Sequence, residues 1–461
     1  MKLSSVVFLG GWAFALASFF VPQPGAQSGV DRSAAIRASV SGATARNIIL
    51  FIGDGMGDSE ITLARYYARG AAGRLAMDTL PFTGSYTTWS VDEQTPTLPV
   101  YVPDSAATGT AWATGVKTSN GRISTTPSTD RDLKTILEHA RELGFRTGDV
   151  STAELTDATP AVLAAHVSSR ACHGPQDMAT CASDRRSAGG AGSIAEQLIA
   201  HDVDVLLGGG AARFDQTTDA GPTVTALAAQ RGYRVLRSRQ ELAASSGPGK
   251  LLGLFAAGNM STELTGDRAV PYPSNSAAPQ SCRAQARGAD EPTLAEMTAT
   301  ALRVLGQPGG DGPGFFLQVE GAHIDKQDHQ ADPCGQIGDT VGFDRAVQLG
   351  LDFAASHPDT LVIVTADHGH TSQIVASPTA TDHPPGAISS LRTADGATIT
   401  VSYATNLPGR MQDHTGTQVR VAATGPQAAN VLGLSDQTEL FRLLLNAMGG
   451  ARPNAAGSAA P

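Results

Sequence analysis

The stretch FFLQVEGAHIDKQDH, Phe315–His329, joins an apolar run of strand length to residue types that bind metal ions. The run Phe315–Val319 follows a segment rich in Pro and Gly, as is typical of a strand that begins after a loop. Glu320 ends the run, and Asp325 and His329 follow four residues apart, so a helix would bring both side chains to one face. An imidazole and a carboxylate so placed suit zinc, and Glu320 suits a harder ion. A solvated helix start with an Asp–His contact explains this segment alone equally well.

Two further apolar runs end in similar residues. Asn47–Ile52 (NIILFI) and Thr360–Thr365 (TLVIVT) have the pattern of strands buried on both faces of a parallel sheet. The first run leads to Asp54, and the second leads to Asp367 and His368. Asp54 alone would be interpreted as a turn residue. However, ligands bind at the carboxyl ends of strands in open α/β sheets, and buried carboxylates need compensating charge. Because the chain has few lysines, these strand ends together predict bound metal ions.

Ser105 and Arg170 lie between these runs, and each has a functional and a purely structural interpretation. Ser105 follows Asp104 at a predicted helix start, where it is either an N-cap or a nucleophile favoured by the helix N-terminus and a metal ion. The sequence around it is not the G-x-S-x-G of serine hydrolases. Arg170 follows a predicted helix, Ala161–Ser169, and precedes Cys172. It is either a surface arginine or a rigidly held group for bidentate phosphate binding.

Length, charge and the N-terminus limit the class of protein. The chain has 461 residues and a net charge of −10, which argues against a nucleic-acid partner or binding to anionic membranes. Lys2 and the apolar run Val6–Val21 predict a secretory signal peptide over residues 1–26, and a retained anchor is the alternative. We expect a polar lead-in over 27–46, one catalytic domain over 47–449 and a disordered tail over 450–461.

Export makes the four cysteines candidates for disulfides. Three pairings are possible for four cysteines. We favour Cys172–Cys181 and Cys282–Cys334, because near neighbours in the chain meet at the least entropic cost. The chain has no C-x-x-C pair, so a metal-binding role for these cysteines is disfavoured.

Six blocks of sequence resemble the bacterial periplasmic alkaline phosphatases, in the same order and over about Asn47–Leu444. The blocks are NIILFIGDGMGDSEIT, PDSAATGTAWATGVKTSNG, STAELTDATPAVLAAHVSSR, FFLQVEGAHIDKQDH, TLVIVTADHGH and DHTGTQVRVAATGPQAANVLGL. The resemblance implies an α/β fold with a doubly wound, mostly parallel central sheet and helices on both faces. It also implies two Zn²⁺ and one Mg²⁺ per chain.

The resemblance assigns a role to each matching position. One zinc ion would be bound by Asp325, His329 and His414, and the other by Asp54, Asp367 and His368. Asp54, Thr159 and Glu320 would bind magnesium. Ser105 would be the nucleophile of a phosphoserine intermediate, and Arg170 would bind the phosphate oxygens. The residues expected around the metals and the phosphate are Asp157, Lys326 and His370.

The implied activity is hydrolysis of small phosphate monoesters to an alcohol and inorganic phosphate, by a homodimer that is periplasmic or secreted and not inserted in a membrane. A two-metal phosphodiesterase or sulfatase is the first alternative, although the sulfatase motif C-x-P-x-R is absent. An inactive exported protein that binds metal or phosphate is the second. We expect His323 to be structural, and we assign no role to His139, His166, His173, His201, His357 or His383.

Overall fold

A computed structural model describes residues 31–247, 249–274, 278–307, 312–379 and 381–450. The predicted signal peptide and residues 451–461 of the predicted tail lie outside the described residues. Within these ranges, no helix combines the length and the apolar character needed to cross a bilayer. The predicted polar lead-in is partly helical, since residues 33–39 form a short helix without buried side chains.

Helices of varied length are distributed along the whole described chain. In chain order they are α1 Ser33–Ser39, α2 Asp58–Arg69, α3 Ser105–Thr114, α4 Ile136–Glu142, α5 Ala158–Ala161, α6 Ile194–Ala200, α7 Ala211–Phe214, α8 Val224–Gln230, α9 Arg239–Ala244, α10 Leu294–Leu305, α11 His323–His329, α12 Pro333–Ser356 and α13 Thr438–Ala447. Single 3₁₀ turns occur at Ala76–Thr79, Ala182–Asp184, Arg186–Ala188 and Ala428–Val431.

The strands include all three of the apolar runs singled out in the sequence. In chain order they are β1 Asn47–Gly53, β2 Phe82–Thr87, β3 Ser90–Val91, β4 Pro99–Val100, β5 Arg146–Glu154, β6 Val205–Gly209, β7 Tyr233–Leu236, β8 Lys250–Leu254, β9 Leu264–Thr265, β10 Val270–Pro271, β11 Arg283–Ala284, β12 Phe315–Gly321, β13 Thr360–Ala366, β14 Ser372–Val375, β15 Ala387–Arg392, β16 Thr398–Tyr403, β17 Val419–Thr424 and β18 Gly433–Asp436.

Ten of these strands form one central sheet, in the order β18-β2-β17-β13-β1-β12-β5-β6-β8-β7. Only β17 runs antiparallel to its neighbours β13 and β2, and the other pairs are parallel. A smaller antiparallel sheet has the order β10-β15-β16-β14. The prediction of a mostly parallel central sheet is therefore confirmed.

Helices cover both faces of the central sheet, as predicted. On one face, the Phe315 ring on β12 packs against Phe353 of α12, with ring centroids 5.5 Å apart. On the other face, Gln318 of the same strand accepts a hydrogen bond of 3.2 Å from the indole N–H of Trp112 on α3. Because alternate side chains of a strand point to opposite faces, these two contacts place α12 and α3 on opposite sides of the sheet.

The register of the central strands brings the predicted site residues to one edge. Strand β1 lies between β12 and β13, and Gly53 pairs with both Gly321 and Ala366. Asp54 and Asp367 directly follow two of these paired residues, and Glu320 directly precedes the third. Parallel strands end at the same edge, so residues far apart in sequence meet there.

The structure contradicts one predicted helix and contains both predicted disulfides. The helix predicted over Ala161–Ser169 does not form, and the helix in this region, α5, covers Ala158–Ala161. Val167 instead forms a bridge to Ile123, in which each backbone N–H donates to the other residue's carbonyl at 3.1 Å. Tertiary pairing thus overrides the local helical pattern. The structure contains both of the favoured disulfides, Cys172–Cys181 and Cys282–Cys334.

Candidate active site

The first group of ligand-type residues lies where α11 meets the loop before β17. Asp325 Oδ1 is 3.1 Å from both His370 Nε2 and His414 Nε2, and 3.4 Å from His329 Nε2. Four donor atoms thus converge within 4.8 Å of one another. Three of the residues are those expected for one zinc ion, and His370 joins them as a neighbour of Asp325.

Backbone carbonyls fix the orientation of two of these imidazoles. His414 Nδ1 donates to the Pro103 carbonyl at 2.9 Å, and His329 Nδ1 donates to the Gln412 carbonyl. A carbonyl only accepts, so in the neutral rings Nδ1 carries the hydrogen and Nε2 has a free lone pair. This arrangement is the usual support for a metal-binding histidine.

The surroundings of two imidazoles in the first group shift their pKa values in opposite directions. Although burial opposes it, Asp325 raises the pKa of His414 to about 9. Burial lowers the pKa of His370 to about 4, so this ring stays neutral. Metal binding requires the neutral imidazole, so an ion bound by these residues would displace any proton on His414 Nε2.

The second group surrounds Ser105, the first residue of α3. Ser105 Oγ lies 3.4 Å from Asp54 Oδ1 and 3.2 Å from His368 Nε2. Asp367 Oδ1 accepts from the backbone N–H groups of Gly55 and His368, both at 2.8 Å. Its Oδ2 is left facing His368 Nε2 at 3.2 Å. The structure therefore places Asp54, Asp367 and His368 together beside the serine. These are the three residues expected to bind the other zinc ion.

The third group contains the residues expected to bind magnesium. Glu320 accepts a hydrogen bond from the Ser151 hydroxyl, and burial raises the pKa of Glu320 to about 8. The buried Thr159 Oγ1 has no hydrogen-bond partner among the described residues. Burial and the carboxylates of Asp325 and Asp367 raise the pKa of Asp54 well above its usual value. Carboxylate and hydroxyl oxygens are the ligand atoms that suit a hard divalent cation.

Buried carboxylate oxygens without hydrogen-bond partners show that the residues present fit metal ions. Asp325 Oδ1 and Asp367 Oδ2 are buried and make no well-formed hydrogen bond within the described part of the chain. Such atoms are costly unless they are paired or coordinate metal. Mixed imidazole and carboxylate groups suit zinc, and the oxygen-only group suits magnesium.

Arg170 lies in the same site and is held by two carboxylates. It donates to Asp157 Oδ1 at 2.8 Å and to Asp104 Oδ2 at 3.1 Å. Lys326 donates to Asp157 Oδ2 at 2.6 Å. Despite burial, these two cations hold the pKa of Asp157 well below its usual range. The guanidinium side chain keeps 32% of its surface exposed, so it remains accessible to a ligand.

Sequence reasoning missed the role of Asp104. Its Oδ1 caps α3 by accepting from the Ala107 N–H at 3.0 Å, while Oδ2 contacts Arg170. One side chain thus fixes both the helix that begins with Ser105 and the arginine opposite it. Its position directly before Ser105 was the available signal, but the contact with Arg170 depends on the fold.

His323 lies apart from the three groups although it begins α11. Its Nε2 donates to the Met260 carbonyl at 2.6 Å, and burial lowers its pKa to about 4. These contacts agree with the structural role expected from the sequence.

The fold and site together define a class, α/β proteins with candidate metal-binding groups at one edge of a mostly parallel sheet, where a serine at a helix N-terminus faces clustered carboxylates and imidazoles. Within that class, the family model described as alkaline phosphatase matches residues 45–411 and 393–449. The chain therefore belongs to the alkaline phosphatase family, and it is a phosphatase enzyme. The fold and family predicted from the sequence are confirmed.

Relatives with named activities are similar in sequence to this chain over nearly its whole length. The chain is 51% identical to the streptomycin-6-phosphate phosphatase of Streptomyces griseus, covering 93% of this chain and 94% of the relative. It is 49% identical to the alkaline phosphatase of Escherichia coli K12, covering 91% and 89%. The alkaline phosphatase structure of Thermus thermophilus superposes with a TM-score of 0.66 at 25% identity, covering 91% of this chain and 95% of that chain.

Proposed function

We propose that this phosphatase hydrolyses phosphate monoesters through a phosphoserine on Ser105, with two zinc ions and one magnesium ion per chain. The observation that carries the proposal is the position of Ser105. Its hydroxyl lies within 3.4 Å of Asp54 and His368, at the first turn of α3. A helix N-terminus favours negative charge, so an ionised serine and a bound phosphate are both stabilised there.

The three groups of the site would divide the metal ions among them. Asp325, His329 and His414 would hold one zinc ion, and Asp54, Asp367 and His368 the other. Asp54, Thr159 and Glu320 would hold magnesium. When bound, the zinc ions would supply Lewis acidity that lowers the pKa of the serine hydroxyl and stabilises the leaving alkoxide.

His370 and Lys326 would act through neighbouring residues. His370 Nε2 faces Asp325 at 3.1 Å, which suits a ring that orients that ligand. Lys326 pairs with Asp157, and Asp157 pairs with Arg170, so the lysine fixes the arginine indirectly.

Arg170 would bind two non-bridging phosphate oxygens through its planar guanidinium group. Bidentate contact favours a monoester, which offers more anionic oxygens than a diester. Asp104 and Asp157 hold two different guanidinium nitrogens, so the group is already oriented before a substrate arrives.

The proposed enzyme is exported and forms a homodimer. The predicted signal peptide over residues 1–26 supports a periplasmic or secreted enzyme, where the disulfides Cys172–Cys181 and Cys282–Cys334 persist. A homodimer is proposed from the family resemblance, and light scattering of the purified protein measures it directly.

The test is hydrolysis of a chromogenic phosphate monoester and the matching diester at alkaline pH, with and without a chelator. We expect fast monoester turnover that the chelator abolishes and that added zinc and magnesium restore. A preference for the diester would favour the two-metal phosphodiesterase. Absence of turnover by fully metallated protein would favour the binding protein.

A third substrate addresses selectivity. The relative from Streptomyces griseus is named a streptomycin-6-phosphate phosphatase, and its sequence is 51% identical. Streptomycin 6-phosphate therefore belongs beside the chromogenic monoester. Equal kcat/KM for both would indicate an enzyme that recognises phosphate alone.

A further inference from the structure

Three side chains outside the active site converge on one point. Glu138 belongs to α4, His166 to the segment after α5, and His201 is the C-cap residue of α6. We infer that this group, the Glu138 cluster, is an additional metal site that binds a divalent cation of the zinc type.

The spacing of the donor atoms fits one ion. Glu138 Oε1 lies 3.5 Å from His166 Nε2 and 3.7 Å from His201 Nδ1. All three donor atoms lie within 4.8 Å of one another. Zinc bonds of about 2.0–2.2 Å in tetrahedral geometry separate neighbouring ligand atoms by roughly 3.4 Å. Only small side-chain movements would bring the three atoms to that spacing.

The remaining polar atoms of two ligands are already bonded elsewhere. Glu138 Oε2 accepts from the Thr135 N–H at 2.7 Å, which leaves Oε1 for the cluster. His166 Nδ1 donates to the Ser124 carbonyl at 3.1 Å, so the neutral ring presents an unprotonated Nε2. Protein groups that fix the outer atoms of metal ligands in this way are a regular feature of zinc sites.

One buried glutamine positions both histidines. Gln197 Oε1 accepts from the His166 N–H, and Gln197 Nε2 donates to the His166 carbonyl, both at 2.9 Å. The Gln197 carbonyl accepts the His201 N–H, also at 2.9 Å. The two rings therefore approach each other because a single residue of α6 holds both backbones.

The ligand types in the cluster suit zinc. Two imidazoles and one carboxylate are a ligand set found in zinc sites with a fourth position left for water. The side chain of His166 is only 7% exposed, whereas 27% of the His201 side chain is exposed, so an ion has a route in from solvent. An ion there would tie α4 and α6 to the segment that leads to Arg170.

The test counts zinc in the full chain. Wild type, His201→Ala and Glu138→Gln are stripped of metal, reloaded with zinc and magnesium, and passed over a column equilibrated with buffered zinc before elemental analysis. His357→Ala is the matched control, because it removes an exposed histidine that belongs to neither the active site nor the cluster. All active-site ligands remain in every variant.

We expect wild type and His357→Ala to carry one more zinc ion per chain than His201→Ala and Glu138→Gln. Zinc should also raise the melting temperature of wild type further than that of His201→Ala, since a bound ion stabilises the folded state. Equal zinc counts in wild type and a folded cluster variant would overturn the inference. If circular dichroism shows one cluster variant to be unfolded, the count in the other decides.

Discussion

Replacing Arg170 by alanine should separate phosphate binding from structural support. The variant loses the contacts to Asp104 and Asp157, but neither carboxylate becomes isolated. Asp157 keeps Lys326 at 2.6 Å, and Asp104 keeps backbone N–H groups of Ala107 and Gly121. The fold should therefore survive, and the loss should appear in catalysis.

The expected loss follows from the number of hydrogen bonds. Each hydrogen bond to a charged group contributes about 1.5–3 kcal/mol, so two bonds to a phosphate contribute about 3–6 kcal/mol. The monoester kcat/KM should fall by roughly 10²- to 10⁴-fold, since about 1.4 kcal/mol corresponds to a factor of ten. A diester offers fewer anionic oxygens to the guanidinium, so its kcat/KM should fall by less.

The assay compares both esters for wild type, Arg170→Ala and the control Arg213→Ala. Arg213 also bridges two carboxylates, Glu154 and Asp177, and its side chain is 31% exposed against 32% for Arg170. We expect the control to keep the monoester-to-diester ratio of wild type. Equal losses on both esters in Arg170→Ala would refute the proposed phosphate contact.

Three further predictions concern stability and metal binding. Burial raises the pKa of Glu60 to about 7, above 4.5 for a free side chain, so the contribution of Glu60 to the free energy of unfolding is fully present below about pH 4.5 and is lost as the pH rises through about 7. Glu60→Gln should remove this pH-dependent loss, which amounts to at most about 3 kcal/mol. Denaturant unfolding at several pH values measures it, and an unchanged pH dependence in the variant would contradict the prediction. Asp104→Ala should lose the α3 cap, about 1 kcal/mol, together with activity, whereas Asp104→Asn should recover the melting temperature but not kcat/KM. Glu320→Gln should reduce bound magnesium and leave the zinc count unchanged by elemental analysis, and unchanged magnesium would exclude Glu320 as a ligand.

Much of the fold and site is predictable because local patterns coincide with tertiary burial. The apolar runs of β1, β12 and β13 are continuous, as expected for strands covered on both faces. Each run ends in ligand-type residues, and parallel strands bring these ends to one edge. The four-residue spacing of Asp325 and His329 holds because α11 is helical over both.

Other features depend on contacts that no local pattern encodes. The segment Ala161–Ser169 has helical spacing, but pairing of Val167 with Ile123 prevents the helix. Glu138, His166 and His201 come from separate elements, and the hydrogen bonds of Gln197 to both histidines depend on the fold. His414 is recognisable only through family resemblance, because its partner Asp325 lies far away in the sequence.

The most direct test of the proposed mechanism is chemical mapping of the phosphoenzyme. The protein is mixed with a phosphate monoester, quenched in acid during turnover, digested and analysed by peptide mass spectrometry, with Ser105→Ala as control. We predict one phosphorylated residue, Ser105, and no phosphopeptide from the variant, which should still bind the full set of metal ions. Steady turnover without phosphate on Ser105, or undiminished activity of Ser105→Ala, would contradict the account.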